Sequence, residues 1–176
     1  MKKNLLPLFL LFLVYTTSYS QTQTMKNTNQ FSSEMEDRMA IKNIVDTFSI
    51  LADQKETQKQ TLLFTEDAIV ESKIQGQPTT ILTGRKQIGD AFASFLNLFD
   101  VVYHINGQQT IRFDGATAHA ISYCLVTLIG NENQQKIKTT FGIYYNDDFV
   151  KKGNQWFISK RVSNFVWQDR NVLGAN

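Results

Sequence analysis

Cysteine, histidine and proline are scarce in this 176-residue chain, which contains one cysteine, two histidines and two prolines. The single cysteine, Cys124, excludes an intramolecular disulfide. It lies in an apolar stretch, where it is expected to pack as a small buried hydrophobe. With so few histidine and cysteine side chains, no cluster has the spacing of metal ligands, and the sequence predicts no metal site.

An excess of charge of either sign is also lacking. The formal net charge is +2, from 18 Lys and Arg against 16 Asp and Glu. Lys2 and Lys3 account for that excess, so the rest of the chain is neutral overall. A neutral chain with scattered charges has no electrostatic footprint for nucleic acid or an anionic lipid surface. Neither is expected as a partner.

Long apolar runs are absent except near the N-terminus. Two lysines precede an apolar run at residues 5–14, and the small residues Ser18 and Ser20 follow it. This pattern predicts a signal peptide over residues 1–20, cleaved near Ser20-Gln21 and followed by export to the periplasm or the extracellular space. The run is too short to span a bilayer comfortably, so an uncleaved anchor is the weaker alternative, and no stable membrane anchor is expected.

Removing the first 20 of the 176 residues leaves 156, enough for one domain with a sizeable core. Residues 21–31 are polar and predict a flexible leader. Residues 32–170 carry periodic patterns throughout and predict the domain itself. Residues 171–176 are expected to form a C-terminal tail.

An amphipathic helix is predicted over residues 34–53, because apolar side chains recur there at helical spacing behind a capping-box pattern at Ser33 and Glu36. Asp53 ends this helix, where the negative end of the helix dipole disfavours a carboxylate by about 0.3–1 kcal/mol. Asp53 is therefore either a solvated end residue with Lys55 as its partner, or a carboxylate kept there to hold another group.

Short elements follow, and then a long run of strands. The pattern predicts a helix over residues 56–64, strands over 68–74 and 80–82, and a helix over 85–99 with an aromatic stripe. From residue 101 onward, four long strands joined in sequence predict an antiparallel meander with one face covered. Helices first and a meander afterwards favour the α+β class.

The first two strands of the meander form a hairpin at Asp114-Gly115, a dipeptide that suits a tight turn. Strict alternation along the first strand places a run of polar side chains on one face: His104, Asn106, Gln108, Thr110 and Arg112. Tyr103, Ile105, Ile111 and Phe113 then lie on the other face. Gly107, in the middle of the strand, allows a bulge or a close approach. The polar face either lines a pocket or meets water.

The motifs of the chain resemble, in order, those of the SnoaL-like branch of the nuclear-transport-factor-2-like superfamily over roughly residues 34–170. They are LLFTEDAIV, GRKQIGDAF, HINGQQTIRFDG, SYC, YNDDFV and QWFISKR, followed by Trp167. The resemblance implies a cone-shaped α+β barrel, with a curved antiparallel sheet wrapped around an N-terminal helix. It also implies a pocket at the open end for a small, largely apolar molecule.

Enzymes of this family include dehydratases, dehydrochlorinases, isomerases and polyketide cyclases that work without metal or nucleotide, so no cofactor is expected. Several share an Asp–His pair whose positions match Asp53 and His104, which the resemblance implies are catalytic. Asn106 could then donate a hydrogen bond to a developing enolate or to a leaving group. The expected substrate-binding residues are Asn106, Phe48, Tyr123, Tyr145 and Phe92.

The chain departs from the family pattern at three places, each of which removes an acid–base group. Phe48 replaces a tyrosine on the first helix, residues 125–127 lack a histidine that often follows SYC, and Tyr144 replaces an arginine. Two functions therefore stay open: a cofactor-independent lyase or isomerase of the dehydratase type, and a non-catalytic module for ligand binding or association.

The resemblance also implies a homodimer, because members of this fold commonly associate through the outer face of the sheet. The side chains expected on that face include Tyr103, Ile121 and Ile143.

Overall fold

The computed structural model describes residues 8–174, and it describes side chains from residue 31 onward. Two compact units divide the chain after Met39, and the second contains the whole sheet. In the first unit, Arg38 donates a hydrogen bond of 2.7 Å to Glu34, one helical turn earlier. No helix in the described part of the chain is long and apolar enough to cross a membrane. The predicted signal peptide lies outside the described side chains, and its cleavage stays a prediction.

The first helix, α1, spans Leu8–Asp53 and is much longer than predicted. The expected start at Ser33 is therefore wrong, and the residues predicted as a flexible leader are helical. Nothing in the sequence stops a helix there, since no proline or glycine occurs between Pro7 and Gly76. The predicted end at Asp53 is confirmed.

The remaining elements follow the predicted order, with shifted boundaries. They are α2 (Thr57–Thr61), β1 (Phe64–Ile74), β2 (Thr80–Thr83), α3 (Gly84–Leu96), β3 (Val101–Asp114), β4 (Thr117–Glu132), β5 (Gln135–Lys152) and β6 (Gln155–Val172). The largest difference concerns residues 62–68 (LLFTEDA). The pattern predicted the end of a helix there, whereas β1 begins within this segment, at Phe64. Phe64, at its start, is fully buried beside the buried Ala68 and Val70, and this burial favours the extended conformation over the local helical pattern.

The six strands form one curved sheet in the order β2-β1-β6-β5-β4-β3. The four-stranded antiparallel meander and the α+β class are confirmed. The sheet is not wholly antiparallel, however, because β1 and β6 run parallel. These two strands are separated by the whole meander, so no hairpin constrains their direction. The sheet is open, since β2 and β3 form its two edges.

The concave face of the sheet packs against the C-terminal part of α1 and against α3. One core cluster joins Ile41, Val45 and Phe48 of α1 to Phe64, Phe149 and Ile158 of the sheet. A second cluster joins Ala52 and Leu96 to inward-facing side chains of β3, β4 and β5. The core is therefore built between the end of α1 and the inner face of the sheet.

Among the β-bulges of the sheet, one in β3 and one at Ser159 in β6 change which side chains face inward. In β3, the pairing with β4 shifts between Asn106 and Gln109, so one residue is extra on that strand. His104 and Asn106 point inward before the bulge, and Ile111 and Phe113 are partly buried after it. The predicted polar face is therefore wrong beyond Gly107, since strict alternation is lost at an inserted residue.

The second bulge lies in β6, where the pairings with both β1 and β5 skip Ser159. Trp156 and Ile158 face inward before it, and Arg161 and Ser163 face inward after it. Regular alternation from Ile158 would have turned Lys160 into the core. The bulge places an arginine there instead.

Candidate functional site

A cavity of about 340 Å³ opens between the end of α1, α3 and the inner face of the sheet. Its wall is mainly apolar, with aromatic side chains from both helices and from the strands: Phe48, Phe92, Phe95, Phe141, Tyr145 and Phe165. The polar groups are few, and they are Gln60, Ser72, Thr80, His104, Arg161 and Ser163. An apolar cavity with a few convergent polar groups is the usual form of a small-molecule site.

His104 is held at the cavity wall by Asp53, the last residue of α1. Asp53 Oδ1 lies 2.6 Å from His104 Nδ1, and Asp53 Oδ2 accepts the backbone N–H of His104 at 3.2 Å. The His104 side chain is 7% exposed and lines the cavity, whereas Asp53 stands behind it. Both carboxylate oxygens therefore engage one residue, which fixes the position and the plane of the imidazole ring.

This contact determines the tautomer of the neutral ring. A carboxylate only accepts hydrogen bonds, so the proton of neutral His104 is on Nδ1. The unshared electron pair is then on Nε2, the nitrogen that remains for chemistry in the cavity. When His104 takes up a proton on Nε2, the Asp53 carboxylate already lies beside the ring and balances the new positive charge.

Lys55 does not partner Asp53. Its ammonium group donates a hydrogen bond of 2.5 Å to the backbone carbonyl of Phe99, at the end of the segment after α3. The unfavourable helix end is instead offset by the backbone and ring N–H groups of His104.

Arg161 also belongs to the cavity wall and is fully buried. Its Nε and Nη2 donate to the two oxygens of buried Asp147 at 2.8 and 2.7 Å. The guanidinium lies 4.1 Å from the ring centre of Phe48 and 4.2 Å from that of Tyr145. Burial lowers the pKa of Arg161, but the adjacent Asp147 carboxylate more than offsets this and holds that pKa above its ordinary value.

Three of the predicted pocket residues line the cavity: Phe48, Phe92 and Tyr145. Phe48 lies at the centre of an aromatic cluster, in edge-on contact with Phe64, Phe92 and Tyr145. Burial raises the pKa of the Tyr145 hydroxyl far above its ordinary value. Tyr145 therefore stays protonated and can only serve as a neutral hydrogen-bonding group near neutral pH.

Asn106 does not line the cavity, contrary to the prediction. Its side-chain amide donates to the Val45 carbonyl at 3.2 Å and to Asp46 at 2.9 Å, and its oxygen accepts from Ser49 at 3.1 Å. These contacts direct both amide hydrogens and the amide oxygen toward α1. Asn106 therefore ties β3 to the helix and is not available to a ligand in the cavity.

Tyr123 and Ile143 both lie on the face opposite to the one expected. Tyr123 is 53% exposed on the outer face, where its ring contacts Tyr144. Ile143, expected on the outer face, is 5% exposed and lines the cavity. The period of two explains both errors, because Tyr123 must share a face with Ile121, and Ile143 must share one with Tyr145.

Sequence reasoning missed Gln60 as a cavity residue. Gln60 lies in α2 and is 1% exposed, with its Nε2 donating to the Phe48 carbonyl at 3.0 Å. A glutamine in a segment of polar residues carries no sequence signal of burial. The inward direction of Arg161 depends on the bulge at Ser159, which strict alternation does not predict.

The other histidine, His119, forms a pair of similar geometry on the outer face. Its Nδ1 lies 2.8 Å from Asp148 Oδ1, and the two side chains are 39% and 54% exposed. Cys124 is buried as expected, and burial raises the pKa of its thiol to about 11. Among residues 8–174, no group of three or more His, Cys, Asp or Glu side chains is placed to hold a metal ion.

The family model of the SnoaL-like domain matches residues 33–162. The chain belongs to the SnoaL-like family. Uncharacterized proteins of Mycobacterium tuberculosis and Mycobacterium bovis are 28% identical to it over 137 residues, which cover 77% of this chain and 90% of those proteins. The resemblance to this family is thereby confirmed.

Solved structures with the same fold include a dehydratase-like protein and a dehydrochlorinase. A scytalone dehydratase-like protein from Novosphingobium aromaticivorans superimposes with a TM-score of 0.69 at 20% identity, covering 82% of this chain and 98% of that one. A hexachlorocyclohexane dehydrochlorinase from Novosphingobium barchaimii gives a TM-score of 0.65 at 18% identity, covering 82% of this chain and 95% of that one. At these identities the likeness concerns the fold alone.

Proposed function

We propose that this protein is a cofactor-independent lyase or isomerase of the dehydratase type, acting on a small, largely apolar molecule. The observation that carries the proposal is the contact between Asp53 and His104 at the wall of an apolar cavity. The fold relatives named as a dehydratase and a dehydrochlorinase make this class of reaction the natural one to test.

The proposed mechanism is removal of a proton from a C–H bond of the substrate. His104 Nε2 takes the proton, and the carbanionic electron pair expels a leaving group or moves to a neighbouring acceptor atom. Asp53 stabilises the resulting imidazolium by hydrogen bonding to Nδ1. Positioned bases of this kind contribute roughly a hundred- to ten-thousandfold in rate.

The test is deuterium incorporation from heavy water into a panel of small apolar ketones, alcohols and halides, together with release of water or halide. The wild type should turn over members of this panel, and His104→Ala should not. His119→Ala is the matched control, because His119 also contacts an aspartate but lies on the outer face. Equal rates in the two variants would sink the proposal.

A non-catalytic ligand-binding module is the second candidate. Tyr145 stays protonated near neutral pH, which leaves His104 as the one candidate base among the described side chains of the cavity wall. Ligands that bind equally well to the wild type and to His104→Ala, without turnover by either, would establish the module instead.

A homodimer through the outer sheet face is part of the proposal. Large apolar side chains are exposed together on β3 and β4, with Ile105 paired directly against Leu125 and exposed by 54% and 44%. Exposed apolar groups of this kind mark association surfaces, and a two-fold dimer uses the same patch twice.

Export after removal of residues 1–20 is also proposed, on the signal-peptide pattern of the sequence. N-terminal sequencing of the protein recovered from cell fractions tests it. An intact N-terminus in the cytoplasmic fraction would contradict it.

A further inference from the structure

We propose that the cavity is the inner half of a longer binding groove and that the molecule it takes is amphipathic. The apolar body of this molecule lies in the cavity, and an uncharged polar end of the hydroxyl type lies in a second space beyond Phe141. This inference rests on the proposed function only for the apolar body, and its test is a binding measurement that stands without turnover.

The second space, which we call the outer pocket, has a volume of about 430 Å³ and lies beside the turn between β4 and β5. Among the described residues, Phe141 is the only one that lines both the cavity and the outer pocket. Its half-buried ring contacts Phe165 edge-on, with 5.3 Å between the ring centres. A molecule that occupies both spaces therefore passes along the edge of one aromatic ring.

The strands that line the cavity continue into the outer pocket. On β4, Leu128 lines the cavity, and Gly130, the next residue on the same face, lines the outer pocket. On β5, Thr139 lies beyond Phe141 in the same way. Two positions along a strand correspond to about 7 Å. The outer pocket is therefore the continuation of the cavity along the concave face of the sheet.

A further bulge in β6 turns polar side chains into the outer pocket. The pairing with β5 passes from Phe165 to Trp167 and skips Val166, which is the extra residue. Regular alternation from Phe165 would have turned Trp167 toward the concave face. Gln168 and Arg170 line the outer pocket instead.

Charge favours an uncharged ligand group in the outer pocket. Arg170 donates a hydrogen bond to Glu132, and both residues line the pocket. Beside them, Lys136 lies 3.6 Å from Asp100. The positive charges are therefore already paired, and an anionic ligand group would have to displace a carboxylate. A hydroxyl group binds without such a displacement.

The groups left for a ligand are the hydroxyl of Thr139 and the amide of Gln168. Both side chains line the outer pocket, and neither is hydrogen-bonded to another described residue. Asn131 also lines the pocket, but its amide donates to Asp100 at 2.9 Å. The Thr139 hydroxyl and the Gln168 amide can each donate and accept a hydrogen bond, as a ligand hydroxyl does.

The test uses three ethers that share a naphthyl group as the apolar body. They are naphthyloxyethanol, naphthyl propyl ether, in which a methyl group replaces the hydroxyl, and naphthyloxyacetate. Binding is measured by calorimetry. The wild type should bind the alcohol more tightly than the acetate.

The decisive comparison removes the two polar groups at nearly constant shape. Thr139→Val combined with Gln168→Leu should weaken binding of the alcohol about tenfold, because two neutral hydrogen bonds are lost, and should not weaken binding of the propyl ether. Thr140→Val combined with Gln155→Leu is the matched control. Thr140 is the next residue of β5 and faces the other side of the sheet, and Gln155 lies at the opposite end of β6. The control should bind both ethers as the wild type does.

A measurement on the wild type covers the case in which the double variant does not fold. A naphthyl ether whose chain ends in a photoreactive diazirine should label residues 130–132, 139–141 or 168–170 on irradiation, as mapped by mass spectrometry. An excess of naphthyloxyethanol should suppress the label.

Four results would each overturn the inference: a label outside the outer pocket, tighter binding of the acetate than of the alcohol, a double variant that binds the alcohol as the wild type does, or no binding of any probe. His104→Ala should lose turnover and keep the difference between the two double variants. Failure of the proposed base is therefore distinguishable from failure of this inference.

Discussion

At the scale of single residues, the contacts of Asp53 explain why a carboxylate stands at the end of α1. One oxygen accepts the backbone N–H of His104, and the other contacts its ring. The first contact aligns the strand and the second orients the imidazole. The two contacts together make a definite prediction for the variant Asp53→Asn.

In Asp53→Asn, the amide oxygen is expected to keep the hydrogen bond from the backbone N–H of His104, so the NH2 group faces Nδ1. The ring must then carry its proton on Nε2, which removes the base from the cavity. Nitrogen NMR shifts of His104 should show the change of tautomer, and turnover should fall roughly a hundredfold or more.

Asp148→Asn, which alters the His119 pair instead, serves as the control for that measurement. It should change neither the His104 spectrum nor the rate. A His104 ring that keeps its Nδ1 proton in Asp53→Asn would rule out the assigned role of Asp53.

Cys124 gives a prediction for alkaline pH. Burial raises the pKa of its thiol from 9.0 to about 11, so the folded protein keeps a proton that the unfolded chain loses. Stability is therefore expected to fall as the pH rises from about 9 to about 11, by about 1 kcal/mol at pH 10. Chemical denaturation of the wild type and Cys124→Ala at several pH values measures this.

The Cys124→Ala variant should lose stability less steeply over that range, because it has no thiol to ionise. The native thiol should also resist iodoacetamide at about pH 8, where the unfolded protein reacts. Rapid alkylation of the native protein, or identical slopes in the two proteins, would contradict this account.

At the scale of the elements, Asn106 joins β3 to α1. Its amide makes three hydrogen bonds to residues of the helix, at Val45, Asp46 and Ser49. Asn106→Ala should therefore lower the free energy of unfolding by about 1–3 kcal/mol, because it leaves partly buried groups without partners. Urea denaturation measures this loss.

Thr110→Ala is the control for Asn106, since Thr110 is an exposed residue of the same strand. It should change the free energy of unfolding by about 0.5 kcal/mol or less. A loss in Asn106→Ala no larger than this would show that the contacts to the helix contribute little.

The bulges in β3 and β6 show what a local pattern leaves open. Period-two alternation predicts correctly that His104 and Asn106 share a face, and it fails for Ile111 and Arg161, which lie beyond an inserted residue. Gly107 signalled the first bulge in the sequence. Ser159 gave no signal for the second, because serine is common in regular strands and in bulges alike.

At the scale of the whole molecule, the proposed homodimer places a second copy on the outer sheet face. Tyr123→Lys places a charge among the exposed apolar side chains of β3 and β4, where a second copy would pack. Sedimentation should give a dimer for the wild type at micromolar concentration and a monomer for this variant. Leu62→Lys alters an equally exposed leucine outside the sheet and should stay dimeric.

A monomeric wild type at that concentration would remove the dimer proposal. A dimer that survives Tyr123→Lys would place the interface elsewhere on the molecule. Either result leaves the cavity and its residues unaffected, since Tyr123 does not line it.

The sequence alone determined the class of fold, because hydrophobic periodicity and turn residues act over a few neighbouring positions. It predicted the meander, the end of α1 at Asp53 and the shared face of His104 and Asn106, all within uninterrupted runs of regular pattern. Only the tertiary structure decided which groups meet. Asn106 is hydrogen-bonded to α1, Tyr123 faces outward, and Gln60, His104 and Arg161 line one cavity. These outcomes depend on bulges and on contacts between residues far apart in the chain, whose energies no local pattern contains.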